Sequence, residues 1–220
     1  MPTNVQLTRL TPADDAAARD AAHVLAAAFD PADHHVQRAL LAELSLAQQR
    51  EATRLQMLQA VWRGVRDKEV WVATSEGAIG AVMVVAPPAA ARAQAERPAS
   101  PYDGELAALT PPAAVGAFAA LQAASWAAQA AAFDPPKEEG YHVSLLGTAP
   151  GSQRRGLAGA LVRSVLARAR EERRAVTITT YTEENAAYYV RLGFVERARN
   201  TFDVRGVPVT FWILSAVPGA

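Results

Sequence analysis

The chain has 220 residues, half of them hydrophobic and a fifth charged, and 22 basic side chains balance 22 acidic ones. That length can bury one large core or two small ones, and a net charge of zero gives no global pull toward nucleic acid or an anionic membrane, so any anion site must be local. No cysteine is present, which excludes disulfides, a thiolate zinc site and a cysteine nucleophile and fits a reducing cytoplasm.

Residues 1–20 carry acidic groups and no apolar segment, unlike a signal peptide. Residues 5–10 alternate as a short strand. Thr11 then reads as an N-cap with Pro12 at the first helical position and Asp14 and Asp15 in the first turn, opening a helix to about Phe29. "FDPADHH" breaks it. His34 and His35 beside Asp33 invite a metal reading, but no further ligand cluster accompanies them, and a polar turn before a helix is the simpler account. Residues 36–64 have helical spacing, with Leu40, Leu41, Leu44, Leu55, Leu58, Val61 and Trp62 in phase, and read as two helices.

The period changes at "EVWVATSEGAIGAVMVVAPP", two strands joined at Glu76-Gly77 and ended by Pro87 and Pro88. Residues 87–112, with "RPASPYDGE" at their centre, read as a surface loop. Residues 113–133 hold no charge. Alanine and three polar residues argue for a helix docked on a core rather than a membrane span, with Val115, Phe118, Leu121, Trp126 and Phe133 largely on one inward face. Gln122 and Gln129 fall near that face, where they bond a neighbouring backbone or look into a cleft. "DPPKEEG" stops the helix.

A strand at 141–149 ("YHVSLLGTA") follows, then the loop "PGSQRRG". The helix "LAGALVRSVLARAREER" has Leu157, Leu161, Val165 and Leu166 inward and Arg163, Arg168 and Arg170 outward. A β-branched strand at 175–182 leads to the helix "EENAAYYVRL", closed by Gly193, and to a hairpin turning at Arg205-Gly206. Strands and helices alternate throughout, which predicts one α/β or α+β domain.

The unit strand, glycine loop, helix is suited to phosphate. First-turn amides have no partner inside the helix and the dipole there is positive. Gly156 and Gly159 admit close approach, and Arg154 and Arg155 add charge where a diphosphate would lie. The alternative is a helix start with solvated arginines. A P-loop is excluded because no Lys-Ser/Thr pair follows the glycines, and a dinucleotide fingerprint fits poorly.

"QRRGLA" resembles the acyl-CoA signature of the GNAT superfamily of N-acetyltransferases, Q/R-x-x-G-x-G/A, and "NAAYYVRLGF", about 30 residues on, resembles that family's second segment. In layout the chain is most similar to the branch containing puromycin N-acetyltransferase. The resemblance implies a single GNAT-like domain over residues 1–220. It would have a central mixed, twisted sheet of about six to seven strands and helices on both faces. Residues 1–135 would form the acceptor-side half and 136–220 the acetyl-CoA half. It further implies acetyl-CoA as co-substrate, no metal, a small-molecule primary amine as acceptor, and room for a homodimer.

By the same resemblance the cofactor lies along Leu145, Leu146, Gly147 and Thr148, with the Leu146 amide facing the thioester oxygen and Thr148 on the pantetheine arm. Amides of Arg154, Arg155, Gly156, Leu157, Ala158 and Gly159 would hold the diphosphate. Asn185 would bond the pantetheine arm or cap its helix, and Tyr189 would protonate the departing thiolate unless it is a core aromatic. Candidate bases are His142, placed on one strand face with Ser144 and Leu146, then Glu183, Glu184 or a water chain. Three positions depart from the pattern. Ala158 stands for the third glycine, Arg154 where a glycine is common, and Thr179 where the puromycin-acetylating relatives carry a glutamate. Two other readings stay open: acetylation of a protein amine, and an acyl-CoA sensor without turnover.

Overall fold

The computed structural model describes residues 5–88, 99–133 and 139–217. Seven strands form one sheet in the order β1-β2-β3-β4-β5-β7-β6. They are β1 (Gln6–Leu10), β2 (Glu69–Ser75), β3 (Ala78–Ala86), β4 (Tyr141–Thr148), β5 (Val176–Thr180), β6 (Val195–Val204) and β7 (Val207–Ala216). Among the described strands only β4 and β5 run parallel. Both hairpins turn where expected: Glu76 and Gly77 have φ of 58° and 80°, and Arg205 and Gly206 57° and 83°, the positive pair that matches the twist of the flanking strands.

Helices cover both faces. On one, α6 (Leu157–Glu171) and α7 (Glu183–Arg191) bury Leu161, Val162 and Val165 against Met83, Val143, Ile178 and Leu214. On the other, α1 (Asp15–Ala28) and α3 (Leu46–Asp67) bury Leu25, Leu58 and Val61 against Val70, Val82 and Val84. A third cluster joins α2 (His35–Leu40) and α5 (Pro112–Ala132) to the far end of β6 and β7. The two helices expected within 36–64 are α2 and α3. The second is opened by a capping box, the Ser45 hydroxyl accepting from the Gln48 amide and the Gln48 side chain from the Ser45 amide.

Four local expectations are corrected. Thr11 does not cap α1: its amide and hydroxyl both donate to Asp14 Oδ2 at 2.7 Å, and Asp14 is the N-cap. The stretch 87–112 contains α4 (Asp103–Leu109), held to α3 by Arg63 and Gln59, both of which donate to the Asp103 carboxylate; residues 89–98, including Arg97 and Pro98 of "RPASPYDGE", and 134–138 of "DPPKEEG" lie outside the described residues. Arg168 is half-buried rather than outward, donating to buried Glu69 at 2.8 Å and stacking over Tyr141.

The fourth concerns α5. Its inward residues are Ala114, Leu121, Ser125 and Gln129, while Val115, Phe118 and Trp126 are about half exposed. In a helix without charges no residue marks the solvent side, and small side chains let the helix sit close on β6 and β7. Gln122 is exposed; buried Gln129 donates to Ser125 Oγ at 2.9 Å. Among the described residues no single helix is long and apolar enough to cross a membrane.

Candidate active site

The sheet opens between β4 and β5. β4 and β5 pair at Tyr141, His142 and Val143 with Val176, Thr177 and Ile178, and not beyond, while β5 stays paired to β7 through Thr180. At that point β4 carries a bulge: Val84 faces Leu145 and Val85 faces Val143, leaving Ser144 as the extra residue. Further along, Ala149 N–H donates to Gly80 O at 2.9 Å. Alternation then turns the amides of Leu145 and Gly147 toward β3 and those of Leu146 and Thr148 into the gap beside β5.

The bulge also corrects the predicted face of His142. Leu146 packs with the α6/α7 cluster and Leu145 with the α1/α3 cluster. Ser144 Oγ accepts from Lys68 Nζ, just past α3, at 3.3 Å. His142 and Ser144 therefore share the α1/α3 face, and Leu146 lies on the opposite one. His142 Nδ1 is 2.9 Å from Thr177 Oγ1.

A short 3-10 turn (Pro150–Ser152) leads from β4 to α6. Arg154 and Gly156 both have positive φ, 58° and 81°, so arginine adopts the left-handed backbone that glycine takes without strain, at a cost of roughly 1–2 kcal/mol. Gly156 is the N-cap of α6 and provides no side-chain cap, and the first helical bond runs from Ala160 N–H to Gly156 O at 2.9 Å. The amides of Leu157, Ala158 and Gly159 thus have no partner within the helix. Arg154 is exposed. Arg155 turns back instead, donating to Ser75 Oγ at 3.1 Å and pairing with Glu76 at 3.2 Å. Gly159 lies close under two side-chain ends: a Cβ there would stand 3.2 Å from both the Tyr188 hydroxyl and an Arg163 guanidinium nitrogen.

Helix α7 is capped by Thr182, whose hydroxyl accepts from Asn185 N–H at 3.2 Å. Asn185 is consequently not the cap, and its side chain is exposed. The helix ends with Gly193 N–H on Val190 O and Phe194 N–H on Tyr189 O, at 3.0 and 3.1 Å, the paired bonds of a glycine-terminated helix. Tyr189 is buried edge-on between Tyr188 and Phe194, with centroids 5.4 and 5.7 Å away. Burial, then its neighbour Tyr188, pushes its phenol far above the ordinary value. Leu146 packs against the same cluster.

The opposite face is bounded by the end of α1. A Cβ on Gly147 would meet Ala28 and Leu25 at 2.9 Å and the Phe29 ring at 3.5 Å. Phe29 also packs on His34, centroids 5.0 Å apart. His34 caps α2, its Nδ1 accepting from Gln37 N–H at 3.4 Å. Burial and the neighbouring His35 lower its pKa to about 4. With Nδ1 accepting, the ring proton sits on Nε2, so this histidine donates rather than acts as a base. Glu183 and Glu184 are exposed in the first turn of α7.

Residues 119–213 match the family of acetyltransferase (GNAT) domains. Over that stretch the chain is similar to a GNAT acetyltransferase domain. No curated protein sequence matches it. Among solved structures, polyamine N-acetyltransferase from Drosophila melanogaster superposes with a TM-score of 0.63 at 17% identity, over 97% of this chain and 100% of that one. A structure described as histone acetyltransferase and related acetyltransferase from Corynebacterium glutamicum gives 0.60 at 18%, over 98% and 97%. An agmatine N-acetyltransferase in its apo form gives 0.58 at 19%, over 97% and 99%. At these identities the likeness is one of fold.

The fold brings Leu145 to Thr148, the loop at 154–156 and the start of α6 together along the open edge of β4. Sequence reading missed three residues that shape this region. Gly80 lies where β3 meets the loop, and a lone glycine in an apolar strand is its signal. Tyr188, read only as Tyr189's neighbour, projects over Gly159. Phe29, read only as the end of α1, lies beside Gly147.

Proposed function

We propose that the protein transfers the acetyl group of acetyl-CoA to the primary amine of a small molecule by direct attack on the thioester. The observation that carries this reading is the opening between β4 and β5, which leads to the uncapped amides of α6. The residues fit the co-substrate. Leu146 and Thr148 present amides to the opening, Arg154 and Gly156 turn the loop, and Leu157 to Gly159 offer amides to a diphosphate. When bound, acetyl-CoA supplies an acyl carbon with a thiolate leaving group.

In this reading the Leu146 amide stabilises the oxyanion. Tyr189 donates to the departing sulfur from the α7 side, and its raised pKa keeps the phenol protonated throughout the neutral range. Thr148 and Asn185 hold the pantetheine arm. Arg155 braces the loop through Glu76, and Arg154 contributes charge at the diphosphate. His142 remains the candidate base on the α1/α3 face. The whole chain acts as one domain, residues 1–135 shaping the acceptor side and 136–220 the acetyl-CoA side, in a cytoplasmic setting. The polyamine and agmatine enzymes of like fold favour a small amine over a protein one. Thermal unfolding tests the reading. Acetyl-CoA and free CoA should each raise the midpoint and NAD should not, whereas no shift with acetyl-CoA at millimolar concentration refutes it.

A further inference from the structure

Thr177 and Thr179 are two residues apart on β5 and project from the same sheet face. Thr177 Oγ1 is satisfied, bonding His142 Nδ1 at 2.9 Å and Tyr141 O at 3.3 Å. Thr179 Oγ1 is buried without any hydrogen-bond partner among the described residues. The difference lies in β4. It supplies His142 opposite Thr177, then bulges at Ser144 and leaves β5 after Ile178. Thr179 is the first β5 residue past that parting, still held on its other side by Ile213 of β7. Its side chain alternates away from Ile178, which joins the α6/α7 cluster, and falls on the side of Tyr181, which packs with α2 and α5.

An orphaned buried hydroxyl is costly unless something fills the gap, and this one is orphaned by the opening that would take the thioester. The geometry points to Thr179 as the positioning residue for the acceptor amine, an inference that rests on the acetyl-transfer reading. The amine enters from the α1/α2 side, between Phe29 and Tyr181. One amine N–H donates to Thr179 Oγ1, which aims the nitrogen lone pair across the opening at the acyl carbon. The C–N bond then forms as the C–S bond breaks and its electron pair leaves on sulfur; nitrogen loses one proton and sulfur gains one. Thr179 holds the nitrogen and takes no proton.

The test compares Thr179→Val, which replaces the hydroxyl by a methyl of similar size, with Thr179→Ser, which keeps it. Spermidine, tyramine and benzylamine are the probes, with thiol release as the readout. With the best of these amines the valine variant should lose about tenfold in kcat/KM, mostly through the amine KM, and the serine variant should recover most of it. Acetyl-CoA affinity should be unchanged in both, and the unfolding midpoint should fall in neither, because the hydroxyl has no partner to lose among the described residues. A valine variant as active as the wild type, or one whose loss comes with a lowered midpoint, overturns the role of Thr179 and leaves acetyl transfer standing. Absence of acetyl-CoA binding or of turnover by the wild type overturns both.

Discussion

Gly80 on β3 and Leu157 at the start of α6 meet with no space for a methyl between them: a Cβ on Gly80 would stand 2.4 Å from Leu157 Cδ1 and about 3 Å from the Ser152 side chain. Leu157 is fully buried, so it cannot swing aside. The loop before α6 is thus seated directly on the sheet, and Gly80 O also holds the amide of Ala149. Gly80→Ala should push the 150–156 segment outward at a cost of about 1–3 kcal/mol. Acetyl-CoA titration should show weaker binding in the folded variant, in excess of any change in the acceptor KM. Unchanged affinity would mean the loop's position does not matter to the ligand.

The acid assigned to Tyr189 predicts a rate effect without a folding effect. Tyr189→Phe keeps the ring between Tyr188 and Phe194 and removes only the hydroxyl. Loss of a general acid costs about 10²–10⁴-fold in rate, so kcat should fall by that order while acetyl-CoA still shifts the unfolding midpoint. Steady-state kinetics with matched melting curves check this. Full activity would make Tyr189 a core aromatic only.

Most of the framework was legible because the signals were local. Both hairpin turns have Gly as their second residue, and the periods of α6 and α7 are strong. Gly193 closes α7 as read. The misread faces have one common cause, which is that faces are decided by what packs against them. The charge-free α5 gives no polar side to read, so Trp126 and Phe118 were turned inward when Leu121 and Gln129 are the buried residues. His142 was placed with Leu146 by counting in twos, and the bulge at Ser144 breaks that count. The partners of Arg155, Ser75 and Glu76, come from a hairpin some eighty positions earlier in the chain. No local pattern could announce them.

Acid should expose the state of His34. Its folded pKa is depressed to about 4 from 6.5, so its contribution to stability is present above pH 6.5 and is lost as the pH falls toward 4. The unfolding midpoint should drop across that window. His34→Ser keeps an N-cap oxygen for the Gln37 amide and removes the titration, so its curve should be flatter between those limits. A wild-type profile that is level from pH 6.5 to 4.5 would show that the ring is solvated.

The alkaline side has the opposite sign. Burial, with the Glu172 carboxylate that accepts its hydroxyl at 2.7 Å, raises Tyr141 to about 12 from 10, and burial raises Tyr189 further. A raised folded pKa means the stabilisation is complete below pH 10 and is lost as pH climbs through the folded value. Stability should therefore be insensitive to tyrosine ionisation at neutral pH and fall steeply above pH 10. Tyr141→Phe should remove part of that fall at the expense of the Glu172 bond.

At Arg154 the backbone and the charge pull in different directions. Its φ of 58° is strained for arginine and free for glycine. Arg154→Gly should thus leave the ligand-free midpoint unchanged or raise it by up to about 1 kcal/mol of stability, the relief being partly offset by glycine's greater freedom in the unfolded chain. The exposed guanidinium makes no hydrogen bond or ion pair among the described residues, so nothing else is lost on folding. Yet it stands one residue before Arg155 at the mouth of the α6 amides, where a diphosphate's charge would lie. Acetyl-CoA binding by the glycine variant should be several-fold weaker in low salt and approach the wild type as salt screens the charge. A variant that is both as stable and as tight a binder at every ionic strength would remove Arg154 from the ligand's surroundings. One that binds more tightly would show that loop strain outweighs charge at this site.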